Sequence, residues 1–139
     1  NGKPYVIEAE RGVEKTPMKT WLKRGQMGHH YRVMRLKKPQ DLTFHYKKLL
    51  GIPYDTKFRF NNGKLYCSEL VWEMYEKNGI QLCKPNPLRD YHFLNIPLVK
   101  KHIQSKEMSL DQEVVPPSDL VKSRKLRTVS YGYGRPIWL

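Results

Sequence analysis

The 139-residue sequence predicts a single α+β domain. Three observations carry that reading. Short β-rich runs ("PYVIEAE", "HHYRVMRLK", "KLRTVSYGYG") are interspersed with segments of helical periodicity. Turn signals punctuate the segments at Gly25, Gly51, Asn62-Gly63 and Gly79. No repeat or low-complexity linker divides the chain, and 39% hydrophobic residues with 12% aromatics suffice for one core.

The elements follow in order. Pro4–Glu10 is a β-rich apolar run closing on a carboxylate. "EKTPMKTWLKRG" predicts a helix with Thr16 as N-cap, Pro17 in the first helical position and Gly25 past its end. His29–Lys37 alternates as a strand that places Tyr31, Val33 and Arg35 on one face. "PQDLTFHYKKLLG" predicts an amphipathic helix with Leu42, His45, Tyr46, Leu49 and Leu50 along one stripe, stopped by Gly51. "IPYDTKFRFNNGKLY" reads as a loop and then a hairpin about Asn62-Gly63, because that dipeptide suits a turn with positive φ.

The hairpin delivers the chain to Cys67, from which Leu70, Val71, Met74 and Tyr75 recur at helical spacing until "KNG" ends at Gly79. The last third predicts a Pro-rich loop ("KPNPLRDYHF"), a short helix in "NIPLVKKHIQSK" and a helix capped by Ser118. A closing strand in "KLRTVSYGYG" completes it.

Lys and Arg total 26 against 13 acids, a net charge of +13. With a pI near 9.8 and a mean hydropathy of −0.72, the surface is very polar and suits polyanions. The cations fall in separate segments: "KTWLKRG", "RLKK", "YKK", "VKKH" and "KSRKLR". Zinc-ligand spacing, a recognition-helix signature and an aromatic RNA-binding motif are all missing, so the reading assigns no metal and no cofactor and goes against nucleic acid. No run reaches the roughly eighteen apolar residues of a membrane span.

Cys67 and Cys83 are the two cysteines. A helix from Cys67 to Asn78 carries the chain ~16 Å away, and five more residues return at most ~17 Å. A bridge needs Cα atoms within about 7 Å, so two free thiols are expected. A free cysteine opening an apolar stripe is often a small buried hydrophobe. Its position offers another role: first-turn N–H groups and the positive end of the helix dipole favour a thiolate and can hold an oxyanion. Glu69, if turned toward the sulfur, would oppose ionisation. A thiolate nucleophile usually has an imidazole partner, and the chain offers His29, His30, His45, His92 and His102 without selecting among them.

"GIPYDTKFRFNNGKLYCSELV" resembles the active-site segment of the NlpC-type papain-like cysteine hydrolases, in which a Pro-Tyr turn precedes a Cys-Ser pair opening the central helix. "PYVIEAERGVEKTPMKTWLKRG" and "VVPPSDLVKSRKL" are similar to the circularly permuted YiiX/YebB-like branch, related to the lecithin:retinol acyltransferase-like proteins. The resemblance implies a permuted papain-like fold over residues 1–139, an antiparallel sheet packed against the central helix. It implies Cys67 as nucleophile, Glu8 as the residue that orients the histidine, and Tyr54 as a residue binding substrate or the oxyanion.

In the permuted order the histidine lies in a strand before the glutamate, but only "NGKPYVI" precedes Glu8 here. The chain, which opens on Asn1 without a methionine, is therefore expected to lack its N-terminal strand. The alternatives are substitution by His29 or His30, or a thiol without a base. The implied activity is that of a cysteine peptidase or amidase forming an acyl-enzyme at Cys67, on cell-wall peptides, with a cell-envelope location. A lipid acyl hydrolase or acyltransferase acting on a lipid amide is the enzymatic alternative. A non-catalytic basic module binding nucleic acid or an anionic wall or membrane surface is the other.

Overall fold

The computed structural model describes residues 2–24, 30–92 and 96–133, with side chains at all of these except 30–31 and 131–133. It is an α+β fold. Strands β1 (Tyr5–Ala9) and β2 (Val13–Pro17) form an antiparallel ribbon in which Tyr5 faces Pro17 and Ala9 faces Val13. Gly12 joins them with a φ of +154°, and a Cβ there would meet the Ile52 carbonyl at 3.1 Å, so the position suits only glycine. Helix α1 (Met18–Arg24) follows β2 directly.

Strand β3 (His30–Leu36) pairs antiparallel with the closing strand β6 (Leu126–Tyr133), with an irregularity between Val33 and Met34. Helix α2 (Cys67–Glu76) is the central helix. A small ribbon of β4 (Asn86–Pro87) and β5 (Glu113–Val114) precedes and follows α3 (Pro97–Gln104). Helix α4 (Pro117–Val121) leads into β6.

Two apolar clusters hold these elements. Ala9, Val13, Leu49, Leu65 and Leu70 form one, joined by Ile7, Ile52, Tyr54 and Met74, and it seats α2 on one face of the β1–β2 ribbon. Leu88, Val99, Met108 and Val114 form the other, with Phe58, Tyr91 and Ile103 against it. A buried Leu-sized side chain contributes about 1.5–3 kcal/mol relative to exposure, so the first cluster alone anchors the start of α2 firmly. No helix among the described residues is long and apolar enough to cross a membrane.

Several expectations meet a different outcome. Thr16 and Pro17 belong to β2 rather than to a helix start, because Thr16 continues the ladder opposite Val6; α1 begins one residue later. Gly25 and His29 lie outside the described residues, as does the side chain of Tyr31. The amphipathic pattern of Pro39–Gly51 gives only a 3₁₀ turn at Tyr46–Lys48. Tertiary pairing overrides the local pattern there: the Gly51 N–H binds the Val13 carbonyl and the Val13 N–H binds that of Ile52, both at 2.9 Å. Leu49 is buried, while His45 and Leu50 stay exposed.

The hairpin arms around Asn62-Gly63 do not pair. Gly63 has the positive φ that the dipeptide favours, yet Phe58 (φ 52°) and Asn61 (φ 55°) also turn left-handed and break the extended arm. Asp55 organises the loop instead. Its buried carboxylate accepts the N–H groups of Lys57 (2.9 Å) and Arg59 (2.6 Å) and the Asn62 amide (2.9 Å). In α2, Leu70 is buried and Met74 and Tyr75 are half-buried as expected, but Val71 faces out. The helix ends as its sequence predicts. Ile80 N–H reaches the Tyr75 carbonyl and Gly79 N–H that of Glu76, around a Gly79 φ of +73°. In α4, Pro116 is the N-cap and Ser118 lies inside the helix.

Candidate active site

The site begins with the start of α2. Tyr66 is the N-cap, extended at φ −96° and ψ 167°, and Cys67 is the first helical residue. The Tyr66 hydroxyl accepts the Val115 N–H at 2.9 Å, tying the helix start to the residue directly after β5. Glu69 turns back so that its carboxylate accepts the Tyr66 N–H at 3.3 Å, half of a capping box. It therefore caps the helix and does not turn to the sulfur. Burial pushes the Glu69 carboxyl up to about 7, against the Tyr66 hydrogen bond and with the added push of Asp55 and Glu73.

Cys67 is a free thiol and exposed to solvent. The expectation of two unpaired cysteines holds, since Cys83 is also free. First-turn amides of a helix have no intrahelical acceptor, so the sulfur sits beside donors that point out of the fold.

Tyr54 reaches the same place from a distant part of the chain. The Leu65 N–H binds the Pro53 carbonyl and the Asp55 N–H binds that of Leu65, both at 3.1 Å. This isolated parallel bridge lays Tyr54 alongside the residues that lead into Cys67. The half-buried Tyr54 phenol is pushed above its ordinary range by burial first. The Cys67 charge, a hydrogen bond to Cys67 and then Asp55 add to the effect. The phenol thus keeps its proton and serves as a donor to sulfur.

Glu8 stands elsewhere on the ribbon. Ile7 and Ala9 pack into the cluster that seats α2, and strand alternation turns Glu8 to the opposite face. There it accepts the Thr16 hydroxyl at 2.6 Å and pairs with the Arg24 guanidinium, which also reaches Glu10 at 2.8 Å. No contact recorded among the described residues joins Glu8 to Cys67. The structure thus unites two of the three sequence-derived residues, Cys67 and Tyr54, and gives Glu8 a different set of neighbours.

The histidines divide similarly. His102 Nδ1 is 2.7 Å from a Glu107 carboxylate oxygen, and His45 and His92 are exposed. His29 and the side chain of His30 lie outside the described residues. Sequence reasoning missed Asp55, whose signal was a carboxylate directly after the Pro-Tyr turn. It also missed Arg24, which nothing in the local pattern marks as a partner of Glu8.

The chain is similar to known proteins over most of its length. The uncharacterized protein YiiX of Escherichia coli strain K12 is 32% identical over an alignment covering 94% of this chain and 68% of that protein. The crystal structure of metalloprotein yiiX from Escherichia coli O157:H7 superposes with a TM-score of 0.80 at 31% identity, covering 94% of this chain and 77% of the other. The family of permuted papain-like amidase enzymes, YaeF/YiiX, matches residues 1–130. With a thiol opening the central helix and that match over nearly its whole length, the chain belongs to the permuted papain-like amidases of the YaeF/YiiX, C92 family, a family of cysteine peptidases.

Proposed function

We propose that the chain cleaves an amide bond through an acyl-enzyme on Cys67, with cell-wall peptides as the substrate class. The single observation behind this reading is the exposed Cys67 thiol at the start of α2 with the Tyr54 phenol beside it. The thiolate attacks the carbonyl carbon, and the first-turn N–H groups and the Tyr54 hydroxyl stabilise the oxyanion. As the C–N bond breaks, the amine departs with a proton, and water then hydrolyses the thioester and regenerates the thiol. A base must take the thiol proton and return it to the amine. None of the described histidine side chains has a recorded contact with Cys67, and Glu8 orients a histidine in this scheme only by leaving Arg24.

The solved relative is described as a metalloprotein. Among the described residues of this chain, no group of three or more His, Cys, Asp or Glu is placed to hold a metal ion, and no step here passes through one.

The test is acyl trapping. Incubation with p-nitrophenyl acetate should release p-nitrophenolate and leave an acetyl group on the peptide containing Cys67, found by mass spectrometry after an acid quench. Cys67→Ser should abolish that adduct and lower peptide-amide hydrolysis by about 10³-fold or more, the usual scale for a lost nucleophile. Acetyl appearing on other residues and not on Cys67 would overturn the proposal.

A further inference from the structure

The basic segments that are separate in sequence meet in the fold. The Lys37 N–H binds the Lys125 carbonyl at 2.9 Å, which brings the end of β3 against the turn between α4 and β6. Two cavities of about 380 Å³ each open beside that junction, and they share Arg124 and Lys125 as lining residues. Lys37 and Lys38 line the first cavity, and Lys84 and Lys122 line the second. All six side chains are exposed, and none has a recorded carboxylate partner among the described residues. Asp119 is the single acid among the described lining residues, and it is engaged by the Tyr91 hydroxyl.

The turn that carries three of these cations is preorganised. Lys122 N–H binds the Ser118 carbonyl, Ser123 N–H that of Leu120, and Lys125 N–H the Ser123 hydroxyl. Six like charges held together repel one another, and an anion laid along them relieves that repulsion and releases its own counterions. Two joined hollows fit a chain better than a plane. No aromatic ring lines either hollow among the described residues, so there is no platform on which a nucleobase could stack.

We infer that this double groove binds a linear phosphate-bearing polymer without bases. The inference goes beyond the proposed hydrolysis and is separable from it, because neither Cys67 nor Tyr54 lines the groove.

Inorganic polyphosphate, end-labelled with a fluorophore and read by anisotropy, is the probe. Affinity should fall by on the order of 10²-fold between 50 and 200 mM salt, the response expected of about six phosphate contacts on a flexible strand. The triple variant K122E/R124E/K125E should lose at least about 10²-fold, and the milder K37Q/K38Q about tenfold. A triple of equal charge change on other exposed positions, K19E/K23E/K48E, should stay within about threefold of wild type. Acyl trapping at Cys67 should be unchanged in all three variants, which separates this test from that of the hydrolase reading. Equal losses in the two triple variants would show net charge alone and overturn the site. Tighter binding of single-stranded DNA of matched charge, or of vesicles rich in anionic lipid, would overturn the assignment of the partner.

Discussion

Cys67 and Cys83 are the same residue in two opposed settings. Cys67 opens α2 with its sulfur exposed, beside amides lacking helical acceptors and beside the Tyr54 phenol. Cys83 lies half-buried in the loop beyond α2, where its carbonyl accepts the Trp72 indole N–H at 2.9 Å. Burial pushes the Cys83 thiol up to about 11, and the nearby Asp119 and Glu76 carboxylates push in the same direction. The chemistry of a thiol depends on whether donors or carboxylates surround its charged form, and this fold supplies one environment of each kind.

The largest effect should separate the two sulfurs directly. At pH 7.5 iodoacetamide should alkylate Cys67 about 10²-fold faster than Cys83, with Cys83 gaining as pH climbs toward about 11. Peptide mapping of a time course measures both rates in one sample, and equal slow labelling would erase the contrast and favour a non-catalytic basic module. A smaller effect tests the phenol. Tyr54→Phe should slow acyl transfer to Cys67 on the order of tenfold, the worth of one hydrogen bond to a charged group, and leave Cys83 labelling unchanged. Stopped-flow release of p-nitrophenolate reads this, and an unaltered rate would remove Tyr54 from the site.

The smallest effect concerns the carboxylate near Cys67. Glu69 holds its proton more tightly in the folded state than in the unfolded chain, since burial raises it from the ordinary 4.5 to about 7. Stability should therefore fall as pH rises from about 4.5 to about 7 and level off above that. Glu69→Gln should flatten that part of the Tm-against-pH curve while leaving the Cys67 alkylation rate within about twofold, because the carboxyl faces the Tyr66 N–H. A Cys67 rate that changed strongly in this variant would mean that Glu69 acts on the sulfur after all.

Much of this was legible before any coordinate. Strands β1, β3 and β6, helices α2 and α3, and the Gly79 stop follow from alternation, helical spacing and terminal residues. These are interactions among neighbours a few positions apart. The failures share a cause. Thr16-Pro17 has good helix-start chemistry and Pro39–Gly51 a good amphipathic stripe, yet hydrogen bonds to β1, β2 and Ile52 claimed those residues. Asn62-Gly63 kept its turn but lost its hairpin, because Asp55 captured the amides that an antiparallel arm would have used.

Local sequence alone determined that a helix starts at Cys67 and ends before Gly79, since periodicity and capping act within one or two turns. Tertiary structure alone decided that Tyr54 meets that sulfur, that Glu8 meets Arg24, and that Lys37 and Lys38 meet Arg124 and Lys125. Such meetings require closing loops of a dozen to nearly ninety residues. Only the packed cores, acting together, offset the entropy of that closure, and no local pattern encodes it.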